Sequence, residues 1–109
     1  MSANPYRGEV PLVLGGESHV LRPTFAALVA AEEEVGSLLA LAERTGAGQL
    51  RLSETVALFW HCLDRRGEAG ASEQEPDRAA FSDAVAATGL AACAEPLRAI
   101  LRQVLQGLG

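Results

Sequence analysis

The chain has 109 residues, 49% of them apolar, with 9 basic residues, all Arg, against 14 acidic ones for a formal net charge of −5. A chain of that length buries about two-thirds of the surface it exposes when unfolded, so a single domain spanning the whole sequence needs no metal or disulfide to fold. Scattered Arg residues and the acidic balance argue against a phosphate-binding surface, because nucleic-acid affinity rests on clustered cations that release counterions.

Aromatic residues make up only 5% of the chain, whereas Ala and Leu abound, which favours helices packed through small and medium side chains. The opening residues MSANPYRGEV lack the apolar core of a secretory signal. The apolar runs fall short of the roughly 20 residues that cross a bilayer. A cytoplasmic protein without membrane association is the expectation. Cys62 and Cys93, far apart in the chain, are then expected as reduced core thiols.

The first element is a β-hairpin over residues 8–22. Gly15 and Gly16 separate two short alternating runs, and a two-residue turn there sets Leu14 opposite Glu17, Leu12 opposite His19, Val10 opposite Leu21 and Glu9 opposite Arg22. Side chains alternate across a strand, so Val10, Leu12, Leu14 and Leu21 share one face. Glu9, Val13, Ser18, Val20 and Arg22 take the other. Two neighbouring valines on that second face need a cover, either from a partner or from the protein's own terminus or a helix. Val13 and Val20 are therefore the candidate partner-binding residues.

Pro23 closes the second strand and Thr24 reads as the N-cap of a helix over 24–35, with Phe25, Leu28, Val29, Glu32 and Val35, flanked by Ala31, as its inward stripe and Gly36 as its stop. Ser37 caps a short helix over 37–44, which ends at the flexible sequence Thr45-Gly46-Ala47-Gly48. After a brief extended stretch at Leu50 and Leu52, Ser53 caps a third helix over 53–64. Its Val56, Phe59, Trp60 and Leu63 mark it as the central core helix.

Residues 65–76 are rich in Gly, Ser and Glu without apolar periodicity and read as a mobile loop. Pro76 and Asp77 open a helix over 77–88 that buries Phe81, Ala84, Val85 and Thr88 before Gly89. The last helix, over 95–107, carries Leu97, Ile100, Leu101, Val104, Leu105 and Leu108 at helical spacing, with Pro96 in its first turn where a missing amide costs least. The expected fold is thus α+β: an N-terminal β-hairpin packed on a bundle of four to five short α-helices.

The residues that tempt a catalytic or metal reading have plain structural alternatives. His61 and Cys62 are adjacent, so on a helix they point about 100° apart and cannot act as base and nucleophile on each other. His19 lies opposite Leu12 with no second His or Cys at ligand spacing. Glu32, Glu33 and Glu34 diverge around a helix axis, as a solvated acidic run does. Gly15-Gly16 joins two strands and is not followed by the Lys-Ser of a phosphate loop. No catalytic, cofactor-binding or metal-binding residue is assigned, and a non-enzymatic protein is expected.

The segment from Asn4 to Gly36 carries a family resemblance, above all Arg7-Gly8-Glu9-Val10, Leu12, the Gly-Gly turn, Leu21-Arg22-Pro23-Thr24-Phe25, Ala27-Leu28 and Glu32. It resembles the small proteins encoded in gene transfer agent and siphophage tail clusters, described as gene transfer agent family proteins or phage tail assembly chaperones. Later segments, at Gly36-Ser37 and from Leu52 to Leu58, agree in arrangement more than in signature residues.

That resemblance implies a helical adaptor that binds the tail tape measure protein, and with it the major tail protein, while tube subunits polymerise. The alternative is a structural tail tube component, found in the particle; only the first 22 residues alternate as strands of a tube would. A small DNA-binding regulator using the third and fourth helices is a further alternative, but it needs a basic recognition face, and the third helix is apolar with His61 and Asp64 on its exposed side.

Overall fold

The computed structural model describes residues 8–63 and 78–106. A hairpin of β1 (Val10–Leu14) and β2 (Glu17–Leu21) is followed by α1 (Phe25–Val35), α2 (Leu38–Gly46), α3 (Leu52–Cys62), α4 (Arg78–Thr88) and α5 (Leu90–Gln106). This is the expected α+β order, with five helices. The loop expected over 65–76 lies outside the described residues, as do Asp64, Pro76, Asp77 and Leu108.

The hairpin has the register expected from its turn: Val10 faces Leu21, Leu12 faces His19 and Leu14 faces Glu17. Gly15 and Gly16 have φ of 56° and 86°. Two successive positive φ values define the tight turn whose twist matches that of the flanking strands, and only glycine reaches them without steric cost. Val10, Leu12, Leu14 and Leu21 are all buried, and β1 lies against α5 and α4. The Gln103 amide of α5 donates to the Gly8 carbonyl at 2.9 Å, fixing the start of β1.

The far side of β2 meets the end of α3. Leu63 forms an antiparallel bridge with Leu21, and the Arg22 amide donates to the Cys62 carbonyl at 2.6 Å. This contact ends the third helix at Cys62, short of the expected residue 64, because Leu63 takes an extended conformation (φ −60°, ψ 124°) to reach the strand. At its other end α3 starts at Leu52, and Ser53 is inside the helix rather than its N-cap. Arg51 occupies the cap without a side-chain bond, while Thr55 bonds back through both its amide and its hydroxyl to the Arg51 carbonyl.

Two other caps are as expected. The Thr24 hydroxyl accepts from the Ala27 amide at 3.1 Å and the Ser37 hydroxyl from the Ala40 amide at 3.2 Å, each satisfying one of the free donors of a first helical turn. Between them Gly36, at φ 90°, stops α1. The second helix runs on to Gly46 instead of ending at 44, which carries Thr45 into the interior at 3% exposure.

The inward stripe of α1 differs from the expected one. Phe25 is 84% exposed and Val29 37% exposed, Glu32 is exposed too, and the buried residue is Ala31, with Ala27, Leu28 and Val35 against the core beside it. The helix is turned by about a quarter rotation from the expected setting. Its small inner residues let α1 sit closely on α3, the helix it touches most.

The last helix begins at Leu90, five residues before the expected start at 95, so Pro96 is inside it. Proline there leaves the Ala92 carbonyl without its usual donor, a cost of about 3 kcal/mol in an ordinary helix interior. The extra turn offsets this by seating Cys93, 1% exposed, below Leu97, Ile100 and Leu101 on the buried side. Val104 is half-buried, and Leu105, expected in the stripe, is 53% exposed near the helix end. Gly89, at φ 97°, makes the corner at which α4 and α5 bend by 111°.

As expected, α3 is central. Thr55 through Phe59 are buried in succession, so neighbours enclose that stretch of the helix on every side, and α1, α4 and α5 all touch it. Phe81 and Val85 of α4 are buried as anticipated, while Ala84 and Thr88 are half-buried.

Candidate partner-binding surface

The outer face of the hairpin carries the residues singled out from the sequence. Val13 is 56% exposed and Val20 is half-buried. The register does not set them directly opposite: Val13 faces Ser18 and Val20 faces Pro11, so the two valines are diagonal neighbours. Diagonal pairs in an antiparallel ladder lie about 7–8 Å apart, near enough to form one apolar surface with Pro11 between them. Pro11, also exposed, was missing from the sequence-derived pair. Its place on the outer face follows from the same alternation that placed Val13.

Pro11 also defines the edge. Residues flanking a two-residue turn exchange both backbone hydrogen bonds, which makes Leu14–Glu17, Leu12–His19 and Val10–Leu21 the bonded pairs. Pro11 and Val13 fall between them and aim their backbone groups outward. A proline without an amide is tolerated in that place and interrupts the row of free donors that would otherwise invite indiscriminate pairing. Among the described residues β1 pairs with β2 alone. The Val13 amide and carbonyl and the Pro11 carbonyl are the groups this edge offers to an incoming strand. At the open end of the hairpin the Arg22 guanidinium lies 3.3 Å from the Glu9 carboxylate.

A second concave surface lies among α1, α3 and α4. Glu34, Leu52, Ser53, Val56, Arg78 and Ser82 line a groove of about 460 Å³. Its rim is held by Glu34, whose carboxylate accepts from both terminal nitrogens of Arg78 and lies 2.8 Å from His61 Nε2. The Arg78 hydrogen bonds, with those of His61, hold the Glu34 carboxyl below the ordinary carboxylate range. No local sequence signal points to this junction, because Glu34, His61 and Arg78 come from three separate helices.

The other residues weighed from the sequence have structural places. His19 is half-buried at the hairpin rim, edge-on to Phe81 at 6.4 Å between ring centroids. Phe59 is fully buried, and Trp60 is half-buried against Phe81 at 5.6 Å. Cys62 and Cys93 are buried and unbonded, and desolvation pushes the Cys62 thiol up to about 12. The three consecutive glutamates part company: Glu34 joins the Arg78–His61 junction, Glu32 accepts from the Leu38 amide at the start of α2 at 3.1 Å, and Glu33 is exposed. Among the described residues no cluster of three or more His, Cys, Asp or Glu side chains is arranged to hold a metal ion. No single described helix is long and apolar enough to cross a membrane. The helix that a DNA-reading mode would have to expose, α3, is enclosed from Thr55 to Phe59.

Comparison with known families gives a match to the family described as "Phage tail tube protein, GTA-gp10", over residues 7–107. The match takes in the hairpin and all five helices. No curated protein and no solved structure matches the chain.

Proposed function

The chain belongs to the GTA-gp10 phage tail tube protein family, and from that premise we propose that it serves tail morphogenesis as an assembly chaperone that holds the tape measure protein soluble while the tube forms around it. The family is one of tail proteins rather than a class of enzymes, and membership implies interaction with other tail components. The finer assignment to the tape measure rests on the surfaces.

Val13 carries the proposal. It stands 56% exposed on a β1 edge whose backbone groups at Pro11 and Val13 are aimed outward. An extended apolar segment can add to such an edge as a third strand, the backbone supplying affinity and the Val13–Pro11–Val20 surface supplying apolar contact. The chain's net charge of −5 supports dispersion of the resulting complex.

The family's description favours a second reading, a structural component of the tail tube. The strand content weighs against it. A tube wall built by strands pairing around a ring needs sheet edges free on both sides of each subunit. The described residues hold one hairpin, and Leu63 already occupies the side of β2 at Leu21.

Co-expression with the tape measure protein tests the proposal. The chaperone reading expects the tape measure to move from the pellet to the soluble fraction and to co-purify with this protein, and less so with a Val13→Asp variant. A tape measure that stays insoluble beside abundant soluble wild-type protein overturns it.

A further inference from the structure

The rotation of α1 exposes a face that the tail reading alone does not require. Phe25, Val29 and Glu33 succeed one another at four-residue intervals, so they form a line along one side of the helix. Phe25 is 84% exposed and Val29 37% exposed. Ala26 and Ala30 border this line and keep its flank low. Glu33, exposed, and Glu32, exposed although its carboxylate also accepts from the Leu38 amide, lie at its far end. No basic residue occurs in α1 to neutralise them, and the negative end of the helix dipole adds to their field.

We propose that this face of α1 is a second docking surface, and that its occupant is an amphipathic helix of the tail partner presenting apolar anchors to Phe25 and Val29 and a Lys or Arg to Glu32 and Glu33. Shape and charge together favour this occupant. The exposed Phe25 ring is continued along the helix by the exposed Val29, so the two make a contiguous apolar strip of the kind that marks an interaction surface. The low alanine flank admits a helix at close distance, and the acidic end selects one whose apolar stripe is followed, one or two turns on, by a cation. Glu34 is not part of this face. It points round the helix to Arg78 and His61.

The identity of the partner rests on the chaperone reading, so the test uses the tape measure protein as bait for tagged, full-length wild type, Phe25→Ser, Phe25→Leu and Glu33→Lys. The expected result is about tenfold weaker recovery with Phe25→Ser, the scale of a lost aromatic anchor. Phe25→Leu is expected to restore most of it. Glu33→Lys is expected to weaken recovery at low salt and to remove its salt dependence. All of these should melt with the wild type, since neither residue supports the core. Retention of the tape measure by wild type, Phe25→Ser and Glu33→Lys alike overturns this proposal while leaving the chaperone reading in place. Failure of the wild type to retain it overturns both.

Discussion

The guanidinium of Arg44 and the carboxylate of Glu54 meet in a parallel fork, Nη1 to Oε1 at 2.7 Å and Nη2 to Oε2 at 2.9 Å. The pair ties the last turn of α2 to the first turn of α3, across the connection at residues 47–51. The carboxylate is also favourably placed at the positive end of α3, and the fork geometry is one that lysine cannot reproduce. Arg44→Lys is expected to lower the melting temperature, and Glu54→Gln likewise. A double-mutant cycle of Arg44→Ala with Glu54→Ala should show the two effects to be less than additive, with the coupling smaller in high salt.

Glycine at the hairpin turn is required by backbone conformation and not by space, since a Cβ at Gly15 or Gly16 would meet no atom within 4 Å. Gly16→Ala is expected to cost about 1 kcal/mol in chemical denaturation, the strain of a left-handed L-residue. Gly15→Asn should cost less, because asparagine tolerates that region and suits the first position of such a turn.

The two cysteines should be inert in the native protein. Reactivity requires the thiolate, and burial raises both thiols above their ordinary value, Cys62 to about 12. Alkylation at pH 8 is expected to be slow for both until denaturant is added. Rapid native labelling of Cys62 would show that α3 is not enclosed as described.

Acid should loosen the junction of α1, α3 and α4. The Glu34 carboxyl lies below its ordinary value of 4.5, chiefly because of the Arg78 hydrogen bonds. A depressed carboxylate stabilises the fold above its unfolded value and loses that contribution as pH falls through the lower, folded one. A decline in melting temperature is therefore expected below about pH 4.5, and it should be shallower in Arg78→Gln.

The hairpin was legible residue by residue because Gly15-Gly16 allows one register and a slip by one would turn Leu12 and Leu14 to solvent. Thr24 and Ser37 were legible as caps for an equally local reason. The face of α1 was not, because FAALVAA is apolar all round. Periodicity cannot choose a side in such a run, and contact with α3 chose the one with Ala27, Leu28 and Ala31. Pro96 misled in the opposite way: its place in a first turn is the local preference, and the burial of Cys93 overrode it. The Glu34–His61–Arg78 junction had no local signature at all. Of the candidate surface, Val13 and Val20 could be placed by alternation alone, whereas Phe25 needed the three-dimensional packing to be seen as exposed.

The composition of finished particles bears most directly on the central claim. Quantitative mass spectrometry of purified tails, with tail assembly intermediates as the comparison, should find this protein with the tape measure in the intermediates and depleted from the completed tails. Its presence in completed tails at a fixed ratio to the tube subunit would contradict the chaperone account and make it a structural part of the tube.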